Sequence, residues 1–454
     1  MNYSIKEIID VLNSTDYKII NNDIVTGVAI DSRLVKQGDL FIPFVGENVD
    51  GHDYIATAFK NGAVATLSLK KDININNNII YIEDSYDAVQ SLAKHYLKKI
   101  DCKTIVITGS NGKTTTKDII SEILSTTYKI HKTKGNLNNE LGVPLTILGA
   151  DNNIDYLILE MGADGFGQLE FLSKLVEPDV AVITNIGESH IEFFKNRLGI
   201  AKGKFEITYG LKNNGYFVYN GDEELLLPLV SNATHKNFSC GVTLKNEVIL
   251  ENYYQKDDYN FFKVNIIEEE LKTKLKGKHN LLNILYAITI AKQENINDKD
   301  IAIALENLEK ITAMRLESIP YNKNSLIIND AYNASPTSMK AAIDVIDELG
   351  NFKYKTIILG DMFELGKDEQ IFHSSIGEYI SEHSHNINKV ITVGSLSKNI
   401  NNSINNKNIQ TIHFNSNDEV ANYLLNNKIN NEALLFKASR GMKLENIIDK
   451  IKKS

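Results

Sequence analysis

The chain has 454 residues, of which 43% are hydrophobic and 24% are charged, and its formal net charge is −9. This length exceeds what one hydrophobic core can organise and predicts about three domains of roughly 150 residues each. The acidic balance argues against nucleic acid as a partner, because such a partner needs a basic surface. The 2 cysteines form no C-x-x-C pair, and no apolar run approaches about 20 residues. We therefore expect a cytoplasmic monomer without a membrane partner.

The first unit is predicted to span residues 1–100 as a small α/β domain. Its opening sequence, MNYSIKEIID, alternates charged and apolar residues as an amphipathic helix does, and it lacks the long apolar core of a signal peptide. A short apolar strand is predicted over residues 40–45 between glycine turns, and a helix is predicted over residues 85–99.

The second unit, predicted over residues 101–312, opens with IVITGSNGKTTT at residues 105–116. An apolar strand there enters a glycine turn and then a helix, whose positive N-terminal end favours an anion. The glycines let backbone N–H groups approach phosphate oxygens, Lys113 supplies a positive charge, and the Thr114 hydroxyl can ligate Mg²⁺. A plain Gly-Lys turn is the alternative, but these features together favour a site for a nucleoside triphosphate. The candidate residues are Thr108, Gly109, Ser110, Asn111, Gly112, Lys113 and Thr114.

Apolar strands at residues 156–160 and 180–186, separated by helical stretches, predict a parallel sheet with crossover connections. Residues 215–274 are β-rich and polar, which predicts an inserted or flanking antiparallel sheet, and residues 279–293 return to helical spacing. The third unit, residues 313–454, alternates apolar strands with helices. The predicted fold is α/β with a small N-terminal domain, a central P-loop parallel-sheet ATPase domain and a C-terminal Rossmann-like doubly wound domain.

Several polar side chains follow predicted strand ends in the second unit. Glu160 ends the strand after the phosphate turn, where an oxygen ligand for Mg²⁺ is needed, and His190 follows the next strand. Each side chain alone is more often structural than functional, and the nearby phosphate turn favours a metal or phosphate role. By their spacing alone, Lys202 and Lys204 are predicted to be two solvated lysines.

The third unit places polar groups at the same kind of sheet edge. Asp330 and Asn333 follow one predicted strand, and Asp361 follows another. Arg315 precedes the first strand of this unit, and Arg440 follows the last. Because open α/β sheets bind ligands at the carboxyl ends of their strands, these groups indicate a docking place for a second anionic or zwitterionic substrate.

Eight segments, in order along nearly the whole chain, resemble the ATP-dependent Mur ligases of peptidoglycan synthesis. They are DSRLVKQGDLF, GNLNNELGVPLT, LEMG, NIGESH, GKHNLLN, NDAYNASPTSM, LGDMFELG and SRGMKLE. The turn TGSNGKTTT is similar to the shortened phosphate loop of that superfamily, which also includes folylpolyglutamate synthases. The D-x-Y-N-A-x-P stretch and the GNLNN loop are similar to the family member that adds a dipeptide, and differ from the neighbouring member that adds a single amino acid.

The resemblance implies an ATP-dependent amide ligase that uses ATP and two Mg²⁺ ions. Its substrates would be UDP-N-acetylmuramoyl-tripeptide and D-alanyl-D-alanine, joined through an acyl phosphate in cytoplasmic peptidoglycan precursor synthesis. The first unit would bind the UDP-linked substrate, and the second would bind ATP. The third would bind the incoming dipeptide and close on ATP, so that the active site forms only when the units meet.

The same resemblance implies roles for single residues. The implied catalytic residues are Lys113, Glu160, His190 and Lys204, and the implied metal ligands are Thr114, Glu160, His190 and Lys204. The Lys204 amine would be carbamylated by CO₂, which converts a cation into an oxygen ligand suited to Mg²⁺. Lys204 is preferred to Lys202 because the family pattern A-K-x-E-I is matched here by the K-x-E-I of GKFEI.

Nucleotide and substrate contacts are implied in the same way. Asn280 would contact adenine, and Arg315 and Asp330 would contact the phosphate and ribose of ATP. The implied substrate-binding residues are Ser32 and Arg33 for the UDP end, together with Asn138, Asn139 and Asn333.

The chain departs from the family pattern at four places. Gly203 replaces the usual alanine before Lys204, and the preceding loop reads FFKNR where leucine-glycine-serine is common. Gln168 stands where a glutamate is usual, and Ala438 replaces a glycine. None of these changes removes an implied catalytic group, but the first two lie close to His190 and Lys204.

Three alternatives remain at this stage. The neighbouring ligase that adds a single amino acid, or a folylpolyglutamate synthase, would carry out the same class of reaction. A nucleotide-driven switch or transport ATPase would hydrolyse ATP without forming a bond. A non-catalytic partner of the cell-wall machinery is disfavoured, because the four implied catalytic side chains are all present.

Overall fold

The computed structural model describes residues 1–257, 259–308, 313–322, 324–350, 352–427 and 429–453. The boundary predicted between residues 312 and 313 adjoins residues 309–312, which lie outside the described residues, and the domain limits stay a prediction. Within the described ranges, no helix is long and apolar enough to cross a membrane. The predicted α/β class with three units is confirmed by three separate larger sheets.

The elements of the N-terminal unit are β1 (Tyr3–Ser4), α1 (Ile5–Leu12), β2 (Tyr17–Lys18), β3 (Ile24–Val25), β4 (Gly27–Ala29), β5 (Asp39–Phe41), α2 (Ile55–Asn61), β6 (Ala65–Ser68), β7 (Ile79–Tyr81) and α3 (Ser85–Ile100). Its sheet has the strand order β2-β7-β6-β5-β4, with β2 antiparallel to its neighbour and the other pairs parallel, and β1 and β3 form a separate antiparallel pair. The helix predicted over residues 85–99 is confirmed as α3. The strand predicted over residues 40–45 is shorter, because β5 ends at Phe41.

The first helix shows how local sequence sets an element. The Ser4 hydroxyl accepts a hydrogen bond from the Glu7 backbone N–H, and the Glu7 carboxylate accepts one from the Ser4 N–H. This capping box satisfies two N–H groups that the helix itself cannot pair. Ile5 and Ile8 lie on one face and are fully buried, so the predicted amphipathic helix is confirmed.

Among the described residues, the central sheet has nine strands in the order β16-β15-β14-β13-β12-β11-β8-β10-β9. Its elements are β8 (Lys103–Thr108), α4 (Lys113–Leu124), β9 (Ile130–Lys132), α5 (Gly142–Leu148), β10 (Tyr156–Glu160), α6 (Gln168–Val176), β11 (Val180–Ile183), α7 (Ile191–Phe194), α8 (Arg197–Phe205), β12 (Tyr216–Asn220), α9 (Leu227–Val230), β13 (Lys236–Gly241), β14 (Val248–Lys256), β15 (Tyr259–Val264), β16 (Ile267–Thr273), α10 (Lys278–Gln293) and α11 (Asp298–Glu306).

The strands from β9 to β14 are parallel, and β14, β15 and β16 pair antiparallel. The prediction of an inserted or flanking antiparallel sheet over residues 215–274 was therefore wrong in part. Strands β12 and β13 belong to the parallel region, and the antiparallel strands extend the same sheet. Local polarity could not reveal this, because parallel β13–β14 pairing depends on contacts between strands that the sequence pattern does not contain.

The C-terminal sheet has the order β17-β18-β22-β19-β20-β21, and only the β17–β18 pair is antiparallel among its described strands. Its elements are β17 (Glu317–Tyr321), β18 (Ser325–Asn329), α12 (Pro336–Glu348), β19 (Tyr354–Gly360), α13 (Glu369–His383), β20 (Lys389–Val393), α14 (Lys398–Asn402), β21 (Gln410–Phe414), α15 (Asn417–Asn426), β22 (Glu432–Lys437) and α16 (Glu445–Lys452). Short 3₁₀ turns occur at Gly51–Tyr54, Glu206–Thr208, Gly366–Asp368 and Arg440–Met442.

Apolar clusters cover both faces of the central sheet and both faces of the C-terminal sheet. One apolar cluster joins the N-terminal unit to one face of the central sheet, and a second, which includes α4 and α10, covers the other face. Two further clusters cover the two faces of the C-terminal sheet. Strand β8 lies between β10 and β11, where the chain crosses from one side of the sheet to the other. Ligands bind at such a switch point, beyond the carboxyl ends of the strands.

Candidate functional site

The turn between β8 and α4 has a backbone that only glycine suits at two positions. Gly109 has a φ of +149° and Gly112 a φ of +81°, both in the region that L residues rarely adopt. A Cβ on Gly109 would lie 1.9 Å from the Thr184 hydroxyl oxygen, and one on Gly112 would lie 2.7 Å from Oδ1 of Asn283. The close approach of backbone predicted for a phosphate-binding turn is therefore present.

The segment that follows β11 holds this turn from the side. The Asn111 N–H donates to Oδ1 of Asn185 at 2.7 Å, and the Ser110 N–H donates to the Asn185 carbonyl at 3.1 Å. In return the Gly187 N–H donates to the Ser110 hydroxyl at 2.9 Å. The Thr184 hydroxyl donates to the Asn111 carbonyl at 2.5 Å. These bonds preorganise the turn, because protein groups fix its backbone and side chains on one side.

Two cations face the same space beside the turn. The Lys113 ammonium donates to the Gly109 carbonyl at 2.8 Å, and Nη2 of Arg315 lies 3.4 Å from the Thr114 hydroxyl. Burial lowers the pKa of Lys113, Glu160 opposes that shift, and Arg315 adds to it. Nε of Arg315 is buried and has no hydrogen-bond acceptor among the described residues, and its guanidinium lies 4.0 Å from the Tyr332 ring centroid. A phosphate chain would supply the missing acceptor and negative charge.

Oxygen atoms suited to Mg²⁺ lie at the end of β10. The Thr114 hydroxyl donates to Oε2 of Glu160 at 2.7 Å, and the Asn138 amide donates to Oε1 at 3.1 Å. Among the described residues, no group of three or more His, Cys, Asp or Glu side chains could hold a metal ion. This donor set fits Mg²⁺, which commonly takes one carboxylate, a hydroxyl and substrate phosphates rather than an all-protein cage.

His190 is the N-cap of α7 and pairs with a carboxylate of the C-terminal unit. Its Nδ1 lies 2.5 Å from Oε2 of Glu364. Burial lowers the pKa of His190, and Lys204 lowers it further, while Glu364 acts in the opposite direction. A neutral imidazole held on one nitrogen by a carboxylate is the form that can offer its other nitrogen to a metal.

Lys204 lies in α8 and is almost fully buried, whereas Lys202 is exposed. The Lys204 ammonium donates to the Ala163 carbonyl at 3.2 Å. Burial, with Lys113 as a further cause, lowers the pKa of Lys204 to about 7. The expectation from spacing alone, two solvated lysines, was wrong for Lys204. With this pKa, Lys204 has a substantial neutral fraction near pH 7, and only a neutral amine reacts with CO₂.

Two of the departures from the family pattern compensate for each other. The Phe194 ring is buried, packs edge to face on Phe166 with centroids 5.1 Å apart, and lies 5.7 Å from the Lys204 ammonium. A Cβ on Gly203 would lie 2.3 Å from Cε1 of Phe194. Glycine at 203 therefore makes room for the phenylalanine that the FFKNR loop introduces, and the surroundings of Lys204 stay closely packed.

Replacing Gly203 by alanine is expected to destabilise the protein by about 1–3 kcal/mol, because a buried methyl would overpack the Phe194 ring. In a Phe194→Leu background the same change is expected to be neutral or stabilising, since alanine favours a helix over glycine by up to about 1 kcal/mol. Thermal unfolding of the four variants, followed by circular dichroism, measures both effects. Equal effects of Gly203→Ala in the two backgrounds would contradict the proposed contact.

Two large cavities meet at Arg315. The central cavity, of about 800 Å³, lies between the second and third units and is lined by Lys113, Glu160, His190, Tyr332 and Arg440, among others. The outer cavity, of about 900 Å³, is lined by Asn280, Lys274, Lys276, Leu308 and Phe352, among others. Arg315 lines both cavities, so the two spaces meet beside the turn between β8 and α4.

The predicted contact residues fall into three groups, which line the central cavity, the outer cavity or neither. Lining the central cavity are Ser110, Asn111, Lys113, Glu160, His190, Asn138, Asn139, Arg315 and Asn333. Asn280 lines the outer cavity, whereas Ser32, Arg33 and Asp330, which are all described, line neither. Arg33 is exposed and pairs with Asp31 at 2.6 Å. The roles of these residues stay predictions.

Some residues of the site were not predicted. Glu364 lies in the segment LGDMFELG, which was predicted to contribute Asp361 to the site. Tyr332 lies in NDAYNASPTSM, which was predicted to contribute Asp330 and Asn333. Asp361 instead accepts hydrogen bonds from the N–H groups of Leu396 and Ser397 and holds that turn. A carboxylate three residues further along the same motif was the available signal for Glu364, but its His190 partner comes from another unit.

Comparison with known proteins agrees with this geometry. Residues 24–97, 107–291 and 314–440 match the descriptions "Mur ligase family, catalytic domain", "Mur ligase middle domain" and "Mur ligase, glutamate ligase domain". The chain is 41% identical over 434 residues to the UDP-N-acetylmuramoyl-tripeptide–D-alanyl-D-alanine ligase of Bacillus subtilis, covering 94% of this chain and 93% of that protein.

Solved structures give the same result. A crystal structure of MurF from Acinetobacter baumannii superposes with a TM-score of 0.90 at 26% identity, covering 100% of this chain and 99% of that one. The MurF ligase of Thermotoga maritima, in complex with ADP, gives a TM-score of 0.82 at 28% identity, covering 94% and 97%. With a relative this similar over nearly its whole length, the chain belongs to the Mur ligase family.

Proposed function

We propose that the protein is an ATP-dependent, ADP-forming ligase that joins D-alanyl-D-alanine to UDP-N-acetylmuramoyl-tripeptide in peptidoglycan precursor synthesis. The observation that carries this proposal is the central cavity, where the phosphate turn and Glu160 meet Arg315 of the third unit. Lys204 is buried behind its wall, bonded to the carbonyl of Ala163, which lines the cavity. The name of the Bacillus subtilis relative supports the substrate pair, and the similarity to the Acinetobacter and Thermotoga structures, both named MurF, supports a ligase. The ADP complex of the Thermotoga ligase supports the use of ATP.

The reaction must first bring two anions together, the tripeptide carboxylate and the γ-phosphate of ATP. In the first step an oxygen of the tripeptide carboxylate attacks the γ-phosphorus of ATP, the bond to the β-phosphate oxygen breaks, and ADP leaves. In the second step the neutral amine of the dipeptide attacks the acyl phosphate carbonyl, inorganic phosphate leaves, and the amine loses a proton. The protein must therefore neutralise charge and hold reactants in line.

Named residues fit these tasks. Lys113 and Arg315 place positive charge along the phosphate chain, and the first N–H groups of α4, where no side-chain cap forms, supply donors. Thr114 and Glu160 would hold one Mg²⁺, which supplies further positive charge when bound. Nucleotide binding in this arrangement places the adenine at Asn280 in the outer cavity.

Lys204 is proposed to help hold a second Mg²⁺. Its buried amine, whose pKa is lowered to about 7, would take up CO₂ as a carbamate and, with His190, hold a second Mg²⁺. Glu364 keeps the His190 ring in place through the 2.5 Å contact to Nδ1. The carbamate changes the charge beside Lys113 from positive to negative, which removes the repulsion between the two buried amines.

The three units divide the binding tasks in this proposal. Residues 1–100 would bind the UDP end of the muramoyl substrate through Ser32 and Arg33. Residues 101–312 would bind ATP, and residues 313–454 would bind the dipeptide and close over the nucleotide. Asn138, Asn139 and Asn333 line the central cavity and are assigned to the substrates. A cytoplasmic location and a monomeric state belong to the same proposal.

A substrate screen with the purified protein tests the function. Phosphate release from ATP is expected only when UDP-N-acetylmuramoyl-tripeptide and D-alanyl-D-alanine are both present, and mass spectrometry is expected to show the amide product. Turnover with a single free amino acid or with a folate would indicate another ligase of the same superfamily. ATP hydrolysis that needs no amine would contradict the proposal.

Asp330 is expected to act on ATP binding through Arg315. Its Oδ2 accepts from the Lys437 ammonium at 2.5 Å, and its Oδ1 accepts from the Leu316 N–H at 3.1 Å. Met314 and Leu316, on either side of Arg315, have positive φ values of 61° and 53°. Since such a backbone is strained in L residues, Asp330 is needed to hold the turn that presents Arg315.

Replacing Asp330 by alanine is therefore expected to raise the KM for ATP by about tenfold, the scale of one charge-assisted hydrogen bond. Asp330→Asn, which keeps an acceptor for Leu316, is expected to give a smaller change. Initial rates at varied ATP concentration measure this effect. If Asp330→Ala leaves both KM and turnover unchanged, the assignment is wrong.

A further inference from the structure

The segment after β11 reaches the third unit through a carboxylate that has no part in the proposed chemistry. Oε2 of Glu188 accepts one hydrogen bond from the Thr337 backbone N–H at 3.1 Å and another from the Thr337 hydroxyl at 2.6 Å. Glu188 is described and lines neither the central nor the outer cavity. Its contact is with the protein and not with a bound substrate.

The position of Thr337 makes this contact favourable. It is the second residue of α12 (Pro336–Glu348), so its backbone N–H lies in the first turn and has no acceptor within the helix. A carboxylate at this end also interacts favourably with the helix dipole. Within α12 itself, the first turn contains no acidic residue. The negative charge at the start of this helix is supplied by the central unit.

Neighbouring contacts link the same place to the phosphate turn. The Asn111 side-chain amide donates to the hydroxyl of Ser335, the N-cap of α12, at 3.3 Å. A Cβ on Gly187 would lie 3.3 Å from Cβ of Ser110 and 3.4 Å from the Thr337 hydroxyl oxygen. The start of α12 therefore packs directly on the turn that is proposed to bind phosphate.

A second carboxylate crosses the interface in the opposite direction. Glu364 of the third unit pairs with His190, and its carbonyl also accepts from the Glu192 N–H at 3.3 Å. Each unit thus offers one carboxylate to the other. Of the two, Glu188 is the one whose partners are a helix end and a hydroxyl, with no residue of the proposed metal site in the contact.

We propose that Glu188 and Thr337 are positioning residues that fix the third unit over the phosphate turn and thereby bring Arg315 to the nucleotide. The 3.4 Å distance between Arg315 and Thr114 exists only while the two units are in contact. Loss of the Glu188 contact would let the third unit move away and would remove Arg315 from the phosphates. The inference rests on the proposed use of ATP, and it does not depend on which amine is ligated.

A double-mutant cycle tests the contact with a non-hydrolysable ATP analogue and Mg²⁺ as the probe. Glu188→Ala removes the acceptor of both hydrogen bonds and is expected to weaken analogue binding about tenfold. Thr337→Ala removes the hydroxyl alone and is expected to weaken binding about threefold. The double variant is expected to bind no more weakly than Glu188→Ala, because the second change then removes no further bond. Thr337→Ser, which keeps the hydroxyl, is the matched control and is expected to bind like the unchanged protein.

Small-angle X-ray scattering on the same proteins with the analogue provides a direct measure of closure. The radius of gyration is expected to be larger for Glu188→Ala than for the unchanged protein. Effects of the two changes that simply multiply, or unchanged affinity and scattering in Glu188→Ala, would overturn the proposal. Should Glu188→Ala fold poorly, Glu188→Gln keeps the side-chain shape and is expected to show a smaller shift of the same sign. If the coupling is found but D-alanyl-D-alanine is not ligated, only the proposed function fails.

Discussion

Lys204→Ala is expected to lower turnover by about 10²–10³-fold, the scale seen when one preorganised electrostatic group is removed from an active site. The reason is the loss of the proposed carbamate, which would supply an oxygen ligand beside His190. The structure makes Lys204 suited to this role because it is buried and its pKa is lowered to about 7. Steady-state phosphate release with both substrates measures the effect.

Lys202 provides the matched control for this prediction. It lies two residues earlier in α8 but is exposed, so Lys202→Ala is expected to leave turnover within about twofold, as for most surface changes. Addition of bicarbonate or a short carboxylic acid is expected to restore part of the activity of Lys204→Ala, because a small acid can occupy the vacated space. Carbon-13 NMR with labelled CO₂ is expected to show a carbamate signal that Lys204→Ala lacks. Full activity of Lys204→Ala would refute the carbamate role.

The amount of carbamate on Lys204 is expected to depend on pH. CO₂ reacts with the neutral amine, and the neutral fraction of a lysine with a pKa of about 7 rises as the pH rises through 7. The carbamate signal is therefore expected to grow between about pH 6 and 8. An ordinary exposed lysine, with a pKa near 10.4, would show almost none of this change in that range.

Lys113→Ala is expected to reduce activity as much as Lys204→Ala does, by weakening the transfer of the phosphoryl group from ATP. The Lys113 ammonium donates to the Gly109 carbonyl of the turn, and burial lowers its pKa, with Arg315 as a further cause. Without it, the developing negative charge on the transferred phosphoryl group lacks its main protein partner. We expect kcat/KM for ATP to fall by about 10²–10³-fold.

Binding and turnover together separate this effect from misfolding. Isothermal titration is expected to show a larger loss of affinity for the ATP analogue than for ADP, because ADP lacks the γ-phosphate that Lys113 addresses. Lys99→Ala, which breaks an ion pair with Glu7 in the first unit, is the control and is expected to cost at most about 1 kcal/mol of stability and no activity. Equal affinities of Lys113→Ala and the unchanged protein for the analogue would exclude a phosphate role.

Much of the central unit could be predicted because its signals are local. The strand that ends at Glu160 was predicted with its observed limits, since the four apolar residues that precede Glu160 are typical of an interior strand. The phosphate turn was predicted because glycine at 109 and 112 is a local steric requirement. In the third unit, the alternation of apolar strands and helices was likewise sufficient for the fold class.

Features that arise from contacts between distant parts of the chain could not be predicted in this way. The amino-acid sequence by itself determined the α/β architecture, the phosphate turn and, through the order of its motifs, the family, because these depend on short-range periodicity and residue type. Only the tertiary structure decided that Lys204 is buried while Lys202 is exposed, that Gly203 accommodates Phe194, and that Arg315 and Glu364 reach the second unit. Burial, pKa and contact between units arise from residues far apart along the chain, and no local pattern contains those distances.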